Sequence, residues 1–131
     1  MLVLDASIVT AALTVPGSQG DWTREIVRSP DINVPHHLHA EVANSLRRAA
    51  LRGLVPWREV EVAYADLLEL TFELFAYEPL ARRVWELRQN VTPYDAWYNA
   101  LAEALDAPLA TLDRRLAAAP GPRCEFVLPP A

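Results

Sequence analysis

Short apolar runs alternate along the chain with segments of helical periodicity, which predicts strands separated by helices. Strand-like runs occupy residues 2–5, 32–34, 109–112 and 125–128, while residues 72–75 fit either a strand or a buried turn of helix. Helices are predicted over 6–13, from an N-cap at Ser18, from Pro35 to Gly53, from Pro56, from Pro79, from Thr92 to about Leu105, and over 114–118. This order predicts an α/β fold with a central parallel sheet covered by helices on both faces.

Chain length and hydrophobicity indicate one folded unit. With 131 residues and 52% hydrophobic content, the chain can bury a sizeable core but has no room for a second domain. We expect a single domain over residues 1–128 and a short unfolded Pro-rich tail over 129–131. No apolar run is long enough to cross a bilayer, and no secretion signal is visible, so we expect a soluble, cytoplasmic protein without membrane contact.

Charge and residue usage exclude several kinds of chemistry. The formal net charge of −5 argues against nucleic-acid binding by bulk positive charge. All 12 basic residues are Arg, which excludes Walker P-loops and Schiff-base enzymes because both need a lysine. Cys124 is the only cysteine, so neither an internal disulfide nor a thiolate zinc cluster can form.

Two acidic residues stand directly after predicted strands. Asp5 ends the first strand, and Asp113 ends the strand that begins at Leu109. In open α/β sheets, ligands bind outside the carboxyl ends of the strands, where both side chains are expected to lie. Acids gathered there repel one another unless a cation or protons offset the charge, and a hard divalent metal ion suits oxygen ligands. An acid after a buried strand is also costly to desolvate without a partner.

Two further acids lie in predicted helices. Thr92, Pro93, Tyr94 and Asp95 fit positions N-cap to N3, where an acid commonly caps the helix, so Asp95 alone is open to a capping interpretation. Glu41 lies beside the apolar stripe of its helix and is open to interpretation as a solvated glutamate. Trp97 and Tyr98 occupy an almost wholly apolar helix and are assigned to the core or a subunit interface.

The four acids occur within short motifs that together resemble the PIN-domain signature and, more narrowly, the VapC toxins of bacterial toxin–antitoxin pairs. The resemblance covers nearly the whole chain, to about Phe126. Its motifs are Leu4-Asp5-Ala6-Ser7, Glu41-Val42-Ala43-Asn44-Ser45-Leu46-Arg47-Arg48, Trp85-Glu86-Leu87-Arg88, Tyr94-Asp95-Ala96-Trp97-Tyr98-Asn99-Ala100-Leu101-Ala102-Glu103 and Thr111-Leu112-Asp113.

This resemblance implies a three-layer α/β/α PIN-like fold and a Mg²⁺- or Mn²⁺-dependent endoribonuclease that cuts single-stranded or looped RNA. It also implies a homodimer and a cognate VapB-like antitoxin. Asp5, Glu41, Asp95 and Asp113 occupy the positions of the family's acidic quartet. We expect Asp5 and Asp95, with Asp113, to hold metal, while Glu41 and Asp113 orient or deprotonate the attacking water or help to hold a second ion.

Further residues are expected to support the acids or the RNA. Ser7 and Thr111 fall where the family often has a hydroxyl near the metal, and Asn44 and Asn99 are placed as supporting neighbours of the acids. Arginines near two of the acids are expected to contact phosphates, with solvated helix faces as the alternative. These arginines are Arg47, Arg48, Arg52, Arg114 and Arg115.

Three other interpretations compete with the nuclease. The chain could be a catalytically silent PIN-fold interaction module whose acids bind a basic partner peptide. A phosphoryl-transfer domain also places Asp at strand ends, but the absence of Lys and of a second Asp after Asp5 counts against it. His36, His37 and His39 precede Glu41 and invite a zinc hypothesis, which the missing His-Glu-x-x-His pattern disfavours.

Overall fold

The computed structural model describes residues 1–131 and contains a five-stranded sheet and seven α-helices. In chain order the elements are β1 (Leu2–Leu4), α1 (Ala6–Thr14), α2 (Gly17–Val27), β2 (Ile32–Pro35), α3 (Leu38–Leu51), α4 (Trp57–Glu69), β3 (Glu73–Phe75), a 3₁₀ turn (Glu78–Leu80), α5 (Ala81–Glu86), α6 (Pro93–Leu105), β4 (Leu109–Ala110), α7 (Arg114–Ala118) and β5 (Phe126–Val127). The alternation of strands and helices is therefore confirmed, and residues 73–75 form a strand.

The sheet is wholly parallel, in the order β3-β2-β1-β4-β5. In the central strands, Val3 pairs with Asn33 on one side and with Leu109 on the other. The chain builds outward from β1 to β2 and β3, then returns to place β4 on the opposite side of β1. The order reverses between β1 and β4, and this switch point is where parallel α/β sheets form their ligand crevice.

Helices cover both faces of the sheet, which gives the predicted three-layer α/β/α architecture. Crossovers between parallel strands are right-handed as a rule, which places the helices that connect β1, β2 and β3 on one face and those that connect β3 to β4 on the other. In agreement, α1 packs against α2, α3 and α4, whereas α6 packs on β1, β2 and β4 and against α5. The strands between these layers are fully buried at Val3, Leu4, Val34 and Leu109.

Two predicted helix starts are wrong. Pro35 ends β2 in register with Phe75, and α3 begins at Leu38 after a turn. Proline is compatible with the end of a strand because its fixed φ suits extended backbone there. The second helix begins at Gly17, whose φ of +82° lets the chain turn earlier than Ser18, and no side chain caps that helix.

No residue after Val127 lies in a helix or strand, although Arg114 donates to the Pro129 carbonyl at 3.1 Å. None of the helices combines the length and the apolar character that a membrane crossing requires.

Candidate active site

Asp5 and Asp113 lie at the carboxyl ends of the neighbouring strands β1 and β4, at the switch point of the sheet. Asp5 follows Leu4 directly and is the N-cap residue of α1. Asp113 comes three residues after Ala110 and is the N-cap residue of α7. The strand-to-helix turns that follow parallel strands thus carry both carboxylates to one edge.

Asp5 is a buried carboxyl group surrounded by hydrogen-bond donors, and only 6% of the residue is exposed. Its Oδ1 accepts from the Ser7 N–H at 3.0 Å and from the Ser7 hydroxyl at 2.5 Å, and its Oδ2 accepts from the Thr111 hydroxyl at 2.5 Å. Burial outweighs these bonds and raises the pKa of Asp5 from 3.8 to about 6. The charged form is therefore costly until something positive comes near.

The hydroxyl groups of Ser7 and Thr111 join the ends of the two strands. Thr111 Oγ1, which donates to Asp5, also accepts from the Asp113 N–H at 2.9 Å. Ser7 Oγ, which donates to the same carboxylate, accepts from the Leu112 N–H at 3.0 Å. Each hydroxyl uses both of its hydrogen-bonding roles, so the turn after β4 is held against the turn after β1.

Asp113 faces solvent, and one of its oxygens caps α7. Oδ1 accepts from the Arg115 N–H at 2.9 Å and from the Leu116 N–H at 3.2 Å. Its Oδ2 makes no hydrogen bond within the chain. One carboxylate oxygen therefore positions the side chain while the other stays available.

Glu41 belongs to the first turn of α3 and contacts α6 across the sheet edge. Its Oε1 accepts a 2.6 Å hydrogen bond from the Tyr98 hydroxyl and lies 3.2 Å from His37 Nε2. The solvated-glutamate interpretation is thus wrong, because two side chains hold this carboxylate.

Asp95 occupies position N3 of α6, as the sequence predicts, yet it is not the cap. The Thr92 side chain accepts from the Asp95 N–H at 3.3 Å, and no backbone N–H group donates to the Asp95 carboxylate. Burial raises the pKa of Asp95 above 3.8, and the charges of Glu41 and Asp113 raise it further. Three acids from three helices therefore lie close enough to repel one another.

Tyr98 is a functional candidate that sequence reasoning assigned only to the core or an interface. It is 1% exposed, and its pKa is raised well above 10.0 by burial first, then by its bond to Glu41 and by the charges of Glu41, Asp5 and Asp95. The hydroxyl group therefore lies among three of the four acids. One signal was available, because a tyrosine three residues after Asp95 shares its helix face and a buried phenol needs a partner.

The structure does not bring every predicted neighbour to this edge. Asn99 is fully buried, and its amide donates to Cys124 Sγ at 3.7 Å rather than to an acid. Asn44 is exposed and makes no side-chain hydrogen bond. Neither residue therefore makes the contact with an acid that its predicted supporting role requires.

The predicted arginines divide into two groups by distance from the acids. Arg114 and Arg115 directly follow Asp113 and are exposed. Arg48 lies on the same face of α3 as Glu41 but about 10 Å along the axis, and Arg52 about 16 Å, at 1.5 Å per residue. None of the five forms an ion pair. The first pair is therefore better placed than the α3 group to contact a phosphate near the acids.

The three histidines before Glu41 point to different surroundings. His37 stacks on Trp97 with ring centroids 4.3 Å apart, and its Nε2 lies 2.9 Å from the Tyr94 carbonyl. His39 lies 6.0 Å from the Phe72 ring, and His36 is exposed. They do not share a common centre.

The donor set fits a hard divalent cation, although no three carboxylate, imidazole or thiol groups converge into a complete metal site. Asp5, Glu41 and Asp113 each have at least one oxygen held by protein hydrogen bonds. All four acids offer oxygen, the donor that Mg²⁺ and Mn²⁺ prefer. The raised pKa of Asp95 also reflects repulsion that a cation would offset.

Solved structures with the same fold include a toxin and a toxin–antitoxin complex. VapC20 of Mycobacterium tuberculosis, described as a sarcin-ricin loop cleaving toxin, superposes with a TM-score of 0.68 at 16% identity, covering 90% of this chain and 94% of that one. A toxin–antitoxin complex from Klebsiella pneumoniae superposes with a TM-score of 0.62 at 19% identity, covering 97% and 96%. At these identities, the likeness establishes the fold alone.

Sequence comparison goes further than the fold. The PIN domain family model matches residues 2–122. Ribonuclease VapC1 of Mycobacterium tuberculosis is 43% identical over 127 residues, which is 96% of this chain and 96% of the relative. The chain is therefore a member of the PIN-domain family and, within it, of the VapC group.

Proposed function

We propose that this protein is a divalent-metal-dependent endoribonuclease that acts as the toxin of a toxin–antitoxin pair and cuts structured RNA at a single-stranded loop. The observation that carries the proposal is that four carboxylates from four elements lie near one another at the carboxyl edge of the sheet. The charges of Glu41 and Asp113 act on Asp95, and those of Glu41, Asp5 and Asp95 act on Tyr98. Burial of Asp5 and the mutual repulsion at Asp95 make the gathering costly for stability. A cost of this kind is typical of groups arranged for a reaction.

Asp5, Asp95 and Asp113 are the residues that would hold the metal ion. When bound, Mg²⁺ or Mn²⁺ would offset the carboxylate charge and stabilise the negative charge that develops on the phosphodiester. Ser7 and Thr111 would keep Asp5 in place by their hydrogen bonds to its two oxygens. The two hydroxyl groups would thus orient the Asp5 carboxylate, while the acids supply the negative charge that binds the metal.

Glu41 is the residue best placed to act on the attacking water. Its Oε1 is held by Tyr98 and His37, and its Oε2 makes no hydrogen bond within the chain. Oε2 would accept a proton as the water oxygen bonds to phosphorus, and the bond from phosphorus to the leaving oxygen would break. General-base assistance of this kind contributes about 10²–10⁴-fold to a rate.

RNA must reach an edge that is itself negative. Arg114 and Arg115 are exposed beside Asp113 and would contact flanking phosphates. Tyr94 directly precedes Asp95 and is 67% exposed, so its ring is free to stack on an unpaired base. A looped substrate suits this arrangement because its bases are available for stacking.

A VapB-like antitoxin is the proposed protein partner, and a homodimer the proposed assembly. The Klebsiella neighbour of the same fold is a toxin–antitoxin complex, which supports an antitoxin for this chain. VapC20, the neighbour that cleaves the sarcin-ricin loop, likewise supports a looped RNA as substrate.

Cleavage of bacterial total RNA by the purified chain tests the proposal, with cut sites mapped by sequencing of 5′ ends. We expect defined cuts with Mg²⁺ or Mn²⁺ and none in EDTA. Asp5→Asn should abolish the cuts, and Asp66→Asn, which changes an exposed acid on α4, should leave them unchanged. Cleavage that survives both EDTA and Asp5→Asn would contradict the proposal. A folded wild-type chain that cuts nothing would instead favour the interaction module.

A further inference from the structure

The Glu41 carboxylate ends a long, flexible side chain, yet it belongs to a site that requires precise placement. A glutamate has three rotatable side-chain bonds, and a misplacement of about 1 Å can cost about 10²-fold in rate. Glu41 lies on α3 and Asp95 on α6, so the two acids belong to different helices. Backbone structure alone therefore does not set the position of the Glu41 carboxylate.

Tyr98 supplies the first restraint. Its ring is buried to 1% exposure in the core, so the hydroxyl group has a fixed position. That hydroxyl donates to Glu41 Oε1 at 2.6 Å. Its raised pKa keeps the proton on the phenol, so the group remains a donor. A rigid core residue of α6 thus fixes one oxygen of a flexible side chain of α3.

His37 supplies the second restraint. Its ring lies parallel to Trp97, with an interplanar angle of 9°, and its centroid lies 4.9 Å from that of Tyr98. Because the Tyr94 carbonyl can only accept, His37 Nε2 carries a proton and donates it to that carbonyl at 2.9 Å. The same nitrogen lies 3.2 Å from Glu41 Oε1, so the ring contacts the carboxylate while it is anchored to α6. The N-cap residue of α3 is thereby joined to the first turn of α6, beside Asp95.

We propose that Tyr98 and His37 are positioning residues that hold Oε1 of Glu41 and so present Oε2 to the reacting groups. This inference rests on the proposed nuclease function. It assigns roles to a core tyrosine and to a histidine that neither the acidic quartet nor the fold requires.

A double-mutant cycle of Tyr98 with Glu41 tests the first restraint, using a labelled stem-loop RNA that the wild-type chain cuts. Tyr98→Phe keeps the ring and removes only the hydroxyl group. We expect kcat to fall about 10–100-fold, the range found when supporting partners of active-site ligands are removed, with KM unchanged. In a Glu41→Gln background the same change should lower the residual kcat much less, because Tyr98 acts through Glu41. Tyr64→Phe, on the exposed surface of α4, is the matched control and should leave kcat unchanged.

Substitutions of His37 test the second restraint by conservative rescue. His37→Leu removes the donor, and we expect a lower kcat. His37→Gln places an amide N–H near the position of Nε2, so it should recover much of the lost rate. His36→Leu, next in sequence and exposed, controls for the loss of an imidazole.

Unfolding in urea gives a readout that does not depend on cleavage. The Tyr98 and Glu41 substitutions should be non-additive in unfolding free energy if their side chains are bonded in solution. Full kcat in Tyr98→Phe, or equal kinetic effects of that change with and without Glu41, would overturn the inference while leaving the nuclease intact. If the wild-type chain cuts no RNA, the proposed function fails and the inference falls with it, whatever the unfolding cycle shows.

Discussion

Replacing Asp5 with Asn removes a buried negative charge while keeping the size of the side chain. Asn Oδ1 can still accept from the Ser7 N–H and hydroxyl groups, as Asp5 Oδ1 does. The amide NH₂ group replaces Oδ2, so the Thr111 hydroxyl loses the acceptor for its proton. The substitution therefore removes the cost of burying a charge and leaves one hydrogen-bond donor, the Thr111 hydroxyl, without a partner.

The expected gain in stability follows from the pKa of Asp5. A rise from 3.8 to about 6 is roughly two units, and at about 1.36 kcal/mol per unit the buried charge costs about 3 kcal/mol at neutral pH. The unpaired Thr111 hydroxyl destabilises the variant by about 1 kcal/mol, which offsets part of this gain. We expect Asp5→Asn to be more stable than the wild-type chain by about 2 kcal/mol, or about 1 M in urea midpoint.

The sign of the pH dependence is fixed by the direction of the shift. Below pH 3.8 the carboxyl group of Asp5 is protonated in both folded and unfolded chains, so the charge costs no stability. As the pH rises to about 6, the unfolded chain loses its proton first, and the wild-type chain loses stability through this window. The Asn variant lacks this loss. Its advantage should therefore be complete above about pH 6 and shrink towards pH 3.8.

Urea unfolding of both chains at several pH values measures the difference directly, because other titrating groups act on both chains alike. The variant should be folded, more stable at neutral pH and inactive on RNA. A variant that is less stable than the wild-type chain at neutral pH, or a difference that does not change with pH, would refute the reasoning about burial.

Three more predictions follow from hydrogen bonds of the site and its surroundings. Thr111→Val removes the hydroxyl group that joins Asp5 to the Asp113 N–H, so urea unfolding should show a loss of about 1–3 kcal/mol, with weaker cleavage; unchanged stability would contradict the bridge. Asp113→Asn keeps a capping oxygen, so it should abolish cleavage without a loss of stability. Asp113→Ala also removes the cap, so thermal melts should show a further loss of about 1 kcal/mol. Equal stability of the two variants would argue against the cap. Arg83→Ala breaks a two-point ion pair with Glu103 at 2.7 and 3.2 Å. Because both side chains are partly exposed, we expect a loss of about 1 kcal/mol in unfolding free energy with kcat unchanged. A fall in kcat would show that the pair affects the acids.

The strand-terminal acids were predictable because their signals are local. Asp5 and Asp113 each follow an apolar run directly, and the parallel-sheet rule then places both at one edge. Their convergence at the switch point needed the strand order, which no local pattern contains. The motif resemblance supplied that missing information.

The errors and omissions have physical causes as well. Pro35 fits both a helix start and a strand end, and only pairing with Phe75 on β3 decides for the strand. Asn99 shares a helix face with Asp95, yet the depth of the helix in the core turns its amide towards Cys124. The bond from Tyr98 to Glu41 joins residues 57 positions apart, so the spacing within one helix could indicate a buried phenol but not its partner.

The hydrogen bond from Thr111 to Asp5 spans 106 positions, and this separation affects how the protein is made. A ribosome delivers residues in order, so Asp5 emerges long before the strand that carries its partner. Until β4 is synthesised, β2 is the only strand that can pair with β1, and until Asp95 is synthesised only two of the four acids exist. We expect the proposed nuclease to stay inactive during synthesis until Asp113, the last of the four acids, has left the ribosomal tunnel.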